Sequence, residues 1–178
     1  MNIVLEIIIN ILLLALLPWL ICVASVFIHE IGHAVGYMLA TKDRNWRIIV
    51  GSGKRMFGSK RFVVNLIPFG GLFLTKEEGR LDSVKKKVAM WLGGPLATFL
   101  LLIPLVTLRV NLTKLGTPDI LGTDAVKFLV SFPLLYNLII FVLSLFPAPY
   151  SFGVCKGLDS DGLQICKLTK RSRDESRK

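Results

Sequence analysis

Charged residues are missing from long stretches of this 178-residue chain, although 19% of its residues are charged overall. Residues 88–108 and 128–146 contain no charge, and residues 7–40 are apolar apart from a proline and one short polar motif. A helix that crosses a bilayer needs about 20 apolar residues, so each stretch is long enough. With a hydrophobic content of 53%, these runs exclude an ordinary soluble domain. They predict an α-helical membrane protein with about three transmembrane helices.

Basic residues are absent before the first span and concentrated in two later segments. Residues 41–87 carry twelve Lys or Arg against four acids, and the chain after residue 146 carries seven against four. Residues 109–124 are balanced, with two charges of each sign. Because basic residues collect on the cytoplasmic side, we expect a multi-pass protein of a bacterial cell membrane, with its N-terminus outside and its C-terminus cytoplasmic. This placement argues against a nucleic-acid partner, which needs a basic face on a soluble fold. A cleaved signal peptide would need a positive N-terminal region, so the first span is expected to be retained.

Cysteine and histidine are both scarce. The three cysteines, Cys22, Cys155 and Cys166, show no paired metal-binding spacing, and reduced thiols are the default on the cytoplasmic side. The only two histidines, His29 and His33, stand together in "FIHEIGHAVG". No other imidazole cluster therefore competes with this motif.

The motif His-Glu-Ile-Gly-His places His29 and His33 four residues apart, so on a helix they lie on the same face. Two neutral imidazoles at this spacing can bind one Zn²⁺ ion, and Glu30 beside them can deprotonate metal-activated water. The alternative is a set of polar residues satisfied inside a helix bundle. Because ionisable residues within a membrane are costly and are usually functional, we favour a metal site with Glu30 as the catalytic residue.

A catalytic zinc ion usually has three protein ligands, and the chain has no third histidine. The third ligand is then a cysteine or a carboxylate. After residue 146, two prolines stop the third span and three glycines permit an irregular backbone, and Asp159 and Asp161 are the only carboxylates near this membrane border. We expect one of these two aspartates to be the ligand, and the residues alone leave the choice open.

The pattern of the sequence changes between the first and second spans. The β-branched runs "WRIIVG" and "RFVVNLIP" are separated by "SGKRMFGSK", which is typical of a turn. We therefore predict a small β-sheet or hairpin over about residues 46–75, at the cytoplasmic face. The chain divides into a membrane core, residues 1–166, and a charged cytoplasmic tail, residues 167–178, whose composition predicts disorder.

Four motifs, taken in order, resemble those of the site-2 protease family of intramembrane zinc metalloproteases. "FIHEIGHAVG" is similar to the family's metal-binding helix, and "LIPFGG" at 66–71 is similar to its "IPxGG" strand. "GGPLAT" at 93–98 resembles "AGPxAN", and "SLFPAPY…LDSDGLQI" resembles "NLLPxPPLDGxxI". The ordered set touches every predicted span and the β region, and is more specific than the first motif alone.

This sequence also departs from the family pattern. Thr98 and Ser144 stand where the family usually has Asn, and about eight residues separate the proline pair from the Leu-Asp pair that normally follows closely. The resemblance implies a role in positioning substrate for Ser144, Gly70 and Gly71.

Because of this longer spacing after the proline pair, two aspartates compete for the ligand position. Leu158-Asp159 matches the family's "LD", whereas Asp161-Gly162 matches its "DG" and is followed by a sequence typical of a helix start. We therefore prefer Asp161 as the third ligand, with Asp159 as the second choice.

The resemblance implies an intramembrane zinc endopeptidase that cleaves transmembrane or membrane-border segments of other proteins. His29, His33 and Asp161 would hold one Zn²⁺ ion, and an exposed strand at about residues 61–68 would receive the unwound substrate by strand addition. The expected partners are membrane lipid, a transmembrane protein substrate and an accessory or regulatory membrane protein.

Two other functions stay open. One is a non-catalytic membrane protein that binds metal or substrate, although metal binding alone would not require Glu30. The other is a membrane protease of the prenyl-protein endopeptidase type, which takes a glutamate as its third ligand. The glutamates after the motif, Glu77, Glu78 and Glu175, all lie in charged runs.

Overall fold

The computed structural model describes residues 3–76, 80–115, 123–151 and 153–177. The elements follow in the order α1 (Ile3–Thr41), β1 (Trp46–Gly58), β2 (Phe62–Thr75), α2 (Val84–Leu115), α3 (Thr123–Leu145) and α4 (Asp161–Glu175). Three helices contain segments long and apolar enough to cross a membrane, namely Leu14–Thr41, Val84–Leu112 and Lys127–Leu145. The prediction of three such helices, with a small sheet between the first and the second, is confirmed.

α1 is one continuous helix that runs through Pro18. Its 39 residues extend about 58 Å at 1.5 Å per residue, which is longer than the roughly 30 Å hydrocarbon core of a bilayer. The helix ends at Thr41, and the next residue, Lys42, adopts a left-handed φ of 59° while its amide donates to the Met38 carbonyl at 2.9 Å. This is the usual way for a helix to end, although glycine normally occupies the left-handed position.

A buried polar cluster fixes the chain just after α1. The Tyr37 hydroxyl donates to Asp43 Oδ2 at 2.6 Å, and the Asn45 amide donates to Asp43 Oδ1 at 3.1 Å. The Tyr37 bond and the Asn45 bond together lower the pKa of the Asp43 carboxyl below its ordinary value. The cluster therefore sets the angle at which the chain turns from α1 into β1.

β1 and β2 form a two-stranded antiparallel sheet whose register shifts repeatedly. Because of these shifts, Ile48 lies opposite both Phe73 and Phe62. The curled hairpin encloses Ile48 and Val50, which are fully buried and pack in one core with Tyr37 of α1. The sheet is thus held against the first helix by its apolar side chains.

The middle of β2 is attached to two helices through its carbonyl groups. The Trp19 indole donates to the Leu66 carbonyl at 2.7 Å, and the Tyr136 hydroxyl donates to the Pro68 carbonyl at 3.1 Å. Trp19 stands about 33 Å along α1 from Thr41, at 1.5 Å per residue. The sheet therefore extends along α1, and its location at the cytoplasmic face stays a prediction. Protein donors of this kind are required wherever such carbonyl groups lie within a bilayer core, because no water is present there.

The backbones of α1 and α2 come into direct contact. A Cβ at Gly32 would overlap the Gly93 carbonyl oxygen, and a Cβ at Gly93 would overlap the Gly32 carbonyl oxygen. One turn further along α1, a Cβ at Gly36 would overlap the Ala89 carbonyl oxygen. Small residues permit such close packing of membrane helices, and it brings α2 within reach of the side chains of His29 and His33.

The charged tail differs from the sequence prediction, because α4 continues as a helix to Glu175. The boundary expected between residues 166 and 167 falls inside this helix. The physical reason lies at its start, where the Ser160 hydroxyl accepts the Leu163 amide at 3.2 Å and caps the helix. Near its end, Arg171 and Glu175 form an i,i+4 ion pair at 3.0 Å.

Candidate metal centre

α1 and α4 bring together three side chains of types that can ligate a metal. His29 Nε2 lies 3.2 Å from both His33 Nε2 and Asp161 Oδ2, and His33 Nε2 lies 3.4 Å from Asp161 Oδ1. All three residues are buried, with exposed fractions of 6%, 3% and 4%. Within the described ranges, His29, His33 and Asp161 form the one group that could hold a metal ion.

The Nδ1 atom of each imidazole, on the ring side opposite Nε2, has a partner on α2. His33 Nδ1 lies 2.9 Å from the Met90 carbonyl oxygen, which can only accept, so this nitrogen carries the proton. His29 Nδ1 lies 2.8 Å from the Thr98 hydroxyl oxygen. With protons on both Nδ1 atoms, each neutral imidazole presents a bare Nε2 lone pair to Asp161.

With both imidazoles neutral, these three facing atoms are all acceptors, so a positive centre, either a metal ion or a proton shared with Asp161, must lie among them. The observed separations of 3.2, 3.2 and 3.4 Å match a tetrahedral zinc ion. Its nitrogen and oxygen ligands at about 2.0–2.1 Å stand about 3.3–3.4 Å apart. The residues present therefore fit one zinc ion.

The surroundings of Asp161 favour its ionised form, which is the form that can ligate a metal. Burial by itself favours the neutral acid, but the imidazoles of His33 and His29 outweigh it and lower the pKa of Asp161 to about 2. As the first residue of α4, the carboxylate also lies at the positive end of a helix dipole, which favours negative charge.

Glu30 lies against the sheet. It is 5% exposed, and a Cβ at Gly71 of β2 would overlap Glu30 Oε1 and stand 2.7 Å from Glu30 Cδ. The absence of a side chain at Gly71 therefore makes room for the carboxylate between α1 and β2. The catalytic residue expected from the sequence occupies the space between the three-residue group and the strand.

Asp159, the second choice for the ligand, lies outside this group. Its Oδ2 is 2.6 Å from Lys167 Nζ, and both side chains are partly exposed. Glu175 pairs with Arg171 on α4, and Glu77 and Glu78 lie outside the described residues.

The segment around Cys155, between α3 and α4, contacts the part of β2 beside Glu30. The Cys155 thiol donates to the Gly71 carbonyl at 2.7 Å, and burial together with the Glu30 charge raises the pKa of that thiol to about 12. Gly70 has a φ of 80°, a conformation that favours glycine, and a Cβ there would make an ordinary contact with Cys155 Sγ at 3.6 Å. Ser144 is buried, and its hydroxyl donates within α3 to the Phe141 carbonyl at 3.0 Å.

Sequence analysis missed the face of α2 that meets the two histidines. Met90, Gly94 and Thr98 follow one another at intervals of four residues, so they lie on the same helix face. A Cβ at Gly94 would overlap His33 Nε2 and stand 2.7 Å from His29 Nε2. The signal was present as the four-residue spacing within "MWLGGPLAT", but it becomes informative only once α2 is placed beside α1.

The fold and the site define a class of protein, an integral membrane protein that holds a buried histidine and carboxylate group among its helices. The sequence profile of Peptidase family M50 matches residues 18–145, which is 128 of the 178 residues. The chain therefore belongs to Peptidase family M50, the site-2 protease family, whose members are intramembrane metalloproteases. The match ends before Asp161. No curated protein and no solved structure matches the chain.

Proposed function

We propose that this protein is an intramembrane zinc endopeptidase that hydrolyses transmembrane or membrane-border segments of other proteins. The observation that carries the proposal is the juxtaposition of Glu30 with three buried ligating atoms whose separations suit one tetrahedral ion. A protein that only stored or sensed metal would need the ligands but would have no use for a buried carboxylate beside them.

In this proposal His29, His33 and Asp161 hold the ion. Zinc, when bound, polarises a substrate carbonyl and makes the attacking water more acidic. Glu30 takes the proton from that water and later passes it to the leaving amine. The burial of all four side chains keeps bulk water away and strengthens the electrostatic interactions within the site.

The substrate segment would lie as an added strand along β2, next to Glu30. A helix hides its carbonyl groups in internal hydrogen bonds, so the substrate must unwind before it can be attacked, and a strand edge can pair with the unwound backbone. The Cys155 thiol bonds to the Gly71 carbonyl, so the segment around Cys155 would have to move before a substrate strand could pair there. Gly70 and Gly71 are retained as candidates for positioning that strand. Leu66 and Phe69, which are 47% and 52% exposed, would contact its apolar side chains. Ser144 is retained as a further candidate for positioning the substrate.

The proposed orientation of the protein in the membrane follows from its charge distribution. The positive-inside rule supports an outer N-terminus and a cytoplasmic C-terminus in a bacterial cell membrane. Lipid and a transmembrane substrate are the proposed partners, and an accessory membrane protein is proposed to help select the substrate.

The Glu30→Gln variant tests the proposal. We expect the purified variant to keep about one zinc ion per chain, because the ligands are untouched, and to lose proteolysis by at least about 100-fold, as expected when a general base is removed. The wild type and the variant are expressed in separate cultures of the same cells. New protein N-termini in each membrane fraction are then identified by mass spectrometry. Glu175→Gln, the same change at an exposed position of α4, is the matched control.

Equal sets of new N-termini in wild type and Glu30→Gln cells would refute the peptidase activity. Zinc retained with no cleavage by the wild type would instead favour the non-catalytic metal-binding protein. Zinc that is absent from the wild type would refute the metal site itself.

A further inference from the structure

Thr98 is the only side chain of α2 that contacts the metal-binding group through a polar atom among the described residues. It is 0% exposed, and its hydroxyl oxygen lies 2.8 Å from His29 Nδ1 and 3.2 Å from the Gly94 carbonyl oxygen. A buried hydroxyl between an imidazole and a carbonyl must divide its hydrogen bonds in a definite way.

The chemistry of the two neighbours fixes that division. The Gly94 carbonyl can only accept, so the Thr98 proton goes to it, and the hydroxyl oxygen is left to accept the proton of His29 Nδ1. A neutral imidazole carries one proton, so this bond holds His29 in the tautomer whose Nε2 is bare. That nitrogen is the one 3.2 Å from both His33 Nε2 and Asp161 Oδ2.

We propose that Thr98 is a positioning residue that fixes the tautomer and ring orientation of His29 for metal binding, an inference that rests on the proposed zinc site. His33 donates the equivalent hydrogen bond to the Met90 carbonyl, a backbone group that no side-chain substitution removes. The tautomer of His29 therefore depends on a side chain, and that of His33 depends on the backbone. Partners of this kind typically change metal affinity by about 10–100-fold when they are removed.

Thr98→Val removes the hydroxyl and nearly keeps the shape of the side chain. We expect its zinc affinity, measured by chelator competition, to fall about 10–100-fold, and Thr98→Ser, which keeps the hydroxyl, to restore most of it. Thr107→Val is the matched control, because Thr107 makes the same bond to the carbonyl four residues earlier on α2 but lies at an exposed position away from the site.

A second measurement reads the tautomer directly in the zinc-free protein. The chain contains only two histidines, so ¹⁵N-histidine labelling gives signals from His29 and His33 alone. We expect His29 Nδ1 to be fully protonated in the wild type and in Thr98→Ser, and to be protonated in only part of the molecules in Thr98→Val, whatever the protonation of Nε2. His33 should be the same in all variants.

The proposal is overturned if Thr98→Val remains folded with zinc affinity within about twofold of the wild type, or if the His29 tautomer is unchanged. A wild type that binds no zinc would refute the proposed function, and the zinc-free tautomers would then still decide whether Thr98 orients His29. If Thr98→Val does not fold, the comparison of Thr98→Ser with Thr98→Ala decides the same question.

Discussion

Gly94 of α2 stands so close to His33 that a Cβ at this position would overlap the His33 Nε2 atom. The same Cβ would be 2.7 Å from His29 Nε2, which places it in the space that both Nε2 atoms face. The missing side chain of Gly94 therefore leaves the space in which a metal ion would be held.

Gly94→Ala is expected to reduce zinc content from about one ion per chain to a small fraction of that, because its methyl group fills the site. Zinc is measured in purified protein by atomic emission. Gly58→Ala is the matched control, since a Cβ there meets only the mobile end of the Arg55 side chain. Full zinc content in folded Gly94→Ala would contradict the site.

Gly71→Ala should separate catalysis from metal binding. A Cβ at position 71 overlaps Glu30 Oε1, and its three nearest atoms all belong to Glu30, so Glu30 must move while the proposed ligands are not contacted directly. We expect cleavage to fall at least about 100-fold, as for loss of a general base, with zinc content unchanged. Zinc and cleavage that decline together would show that Gly71 supports the whole site.

The two aspartates should differ sharply in their effect on zinc. Asp161→Ala removes an atom that lies 3.2 Å from His29 Nε2. Loss of a residue that only hydrogen-bonds to a ligand typically lowers metal affinity about 10–100-fold, and loss of Asp161 is expected to lower zinc affinity further. Asp159→Ala removes only an ion pair with Lys167, which at a partly exposed site is worth at most about 1 kcal/mol. Chelator competition on both variants checks this, and unchanged affinity in both would favour a glutamate ligand.

Tyr37→Phe should lower the thermal unfolding midpoint in detergent by a few degrees at neutral pH, because it removes the 2.6 Å bond to Asp43. That bond is the main cause of the lowered pKa of Asp43. With its folded pKa below its unfolded pKa, Asp43 stabilises the fold fully above about pH 4, and this contribution is lost as the pH falls through the folded pKa. The difference between wild type and Tyr37→Phe should shrink over that acidic range. In an Asp43→Asn background it should not vary with pH.

Lys42→Gly is expected to stabilise the protein by about 1 kcal/mol, the cost that a side chain incurs in the left-handed conformation. Lys42 has a φ of 59° at the end of α1, where glycine avoids that strain. Thermal unfolding in detergent measures the gain. Lys42→Ala is the control and should give no gain in stability. Equal unfolding midpoints for the two variants would rule out backbone strain at this position.

The sequence determined those features that depend on local geometry. Helical periodicity alone places His29 and His33 on one face with Glu30 beside them, and uncharged runs alone define helices that can cross a membrane. The disordered tail was predicted from charge, but a serine cap and an i,i+4 ion pair extend α4 to Glu175. Composition does not register such local hydrogen bonds.

The tertiary structure decided which distant residues meet the motif. Asp159 and Asp161 are two residues apart and chemically identical, yet Asp161 begins a helix that directs its carboxylate to His29 across 132 positions of sequence. Thr98 and Gly94 acquire their roles only because glycine contacts bring α2 against α1. The reason is physical: a helix fixes neighbours four residues apart by its own hydrogen bonds, whereas contacts between helices depend on how all the side chains pack together.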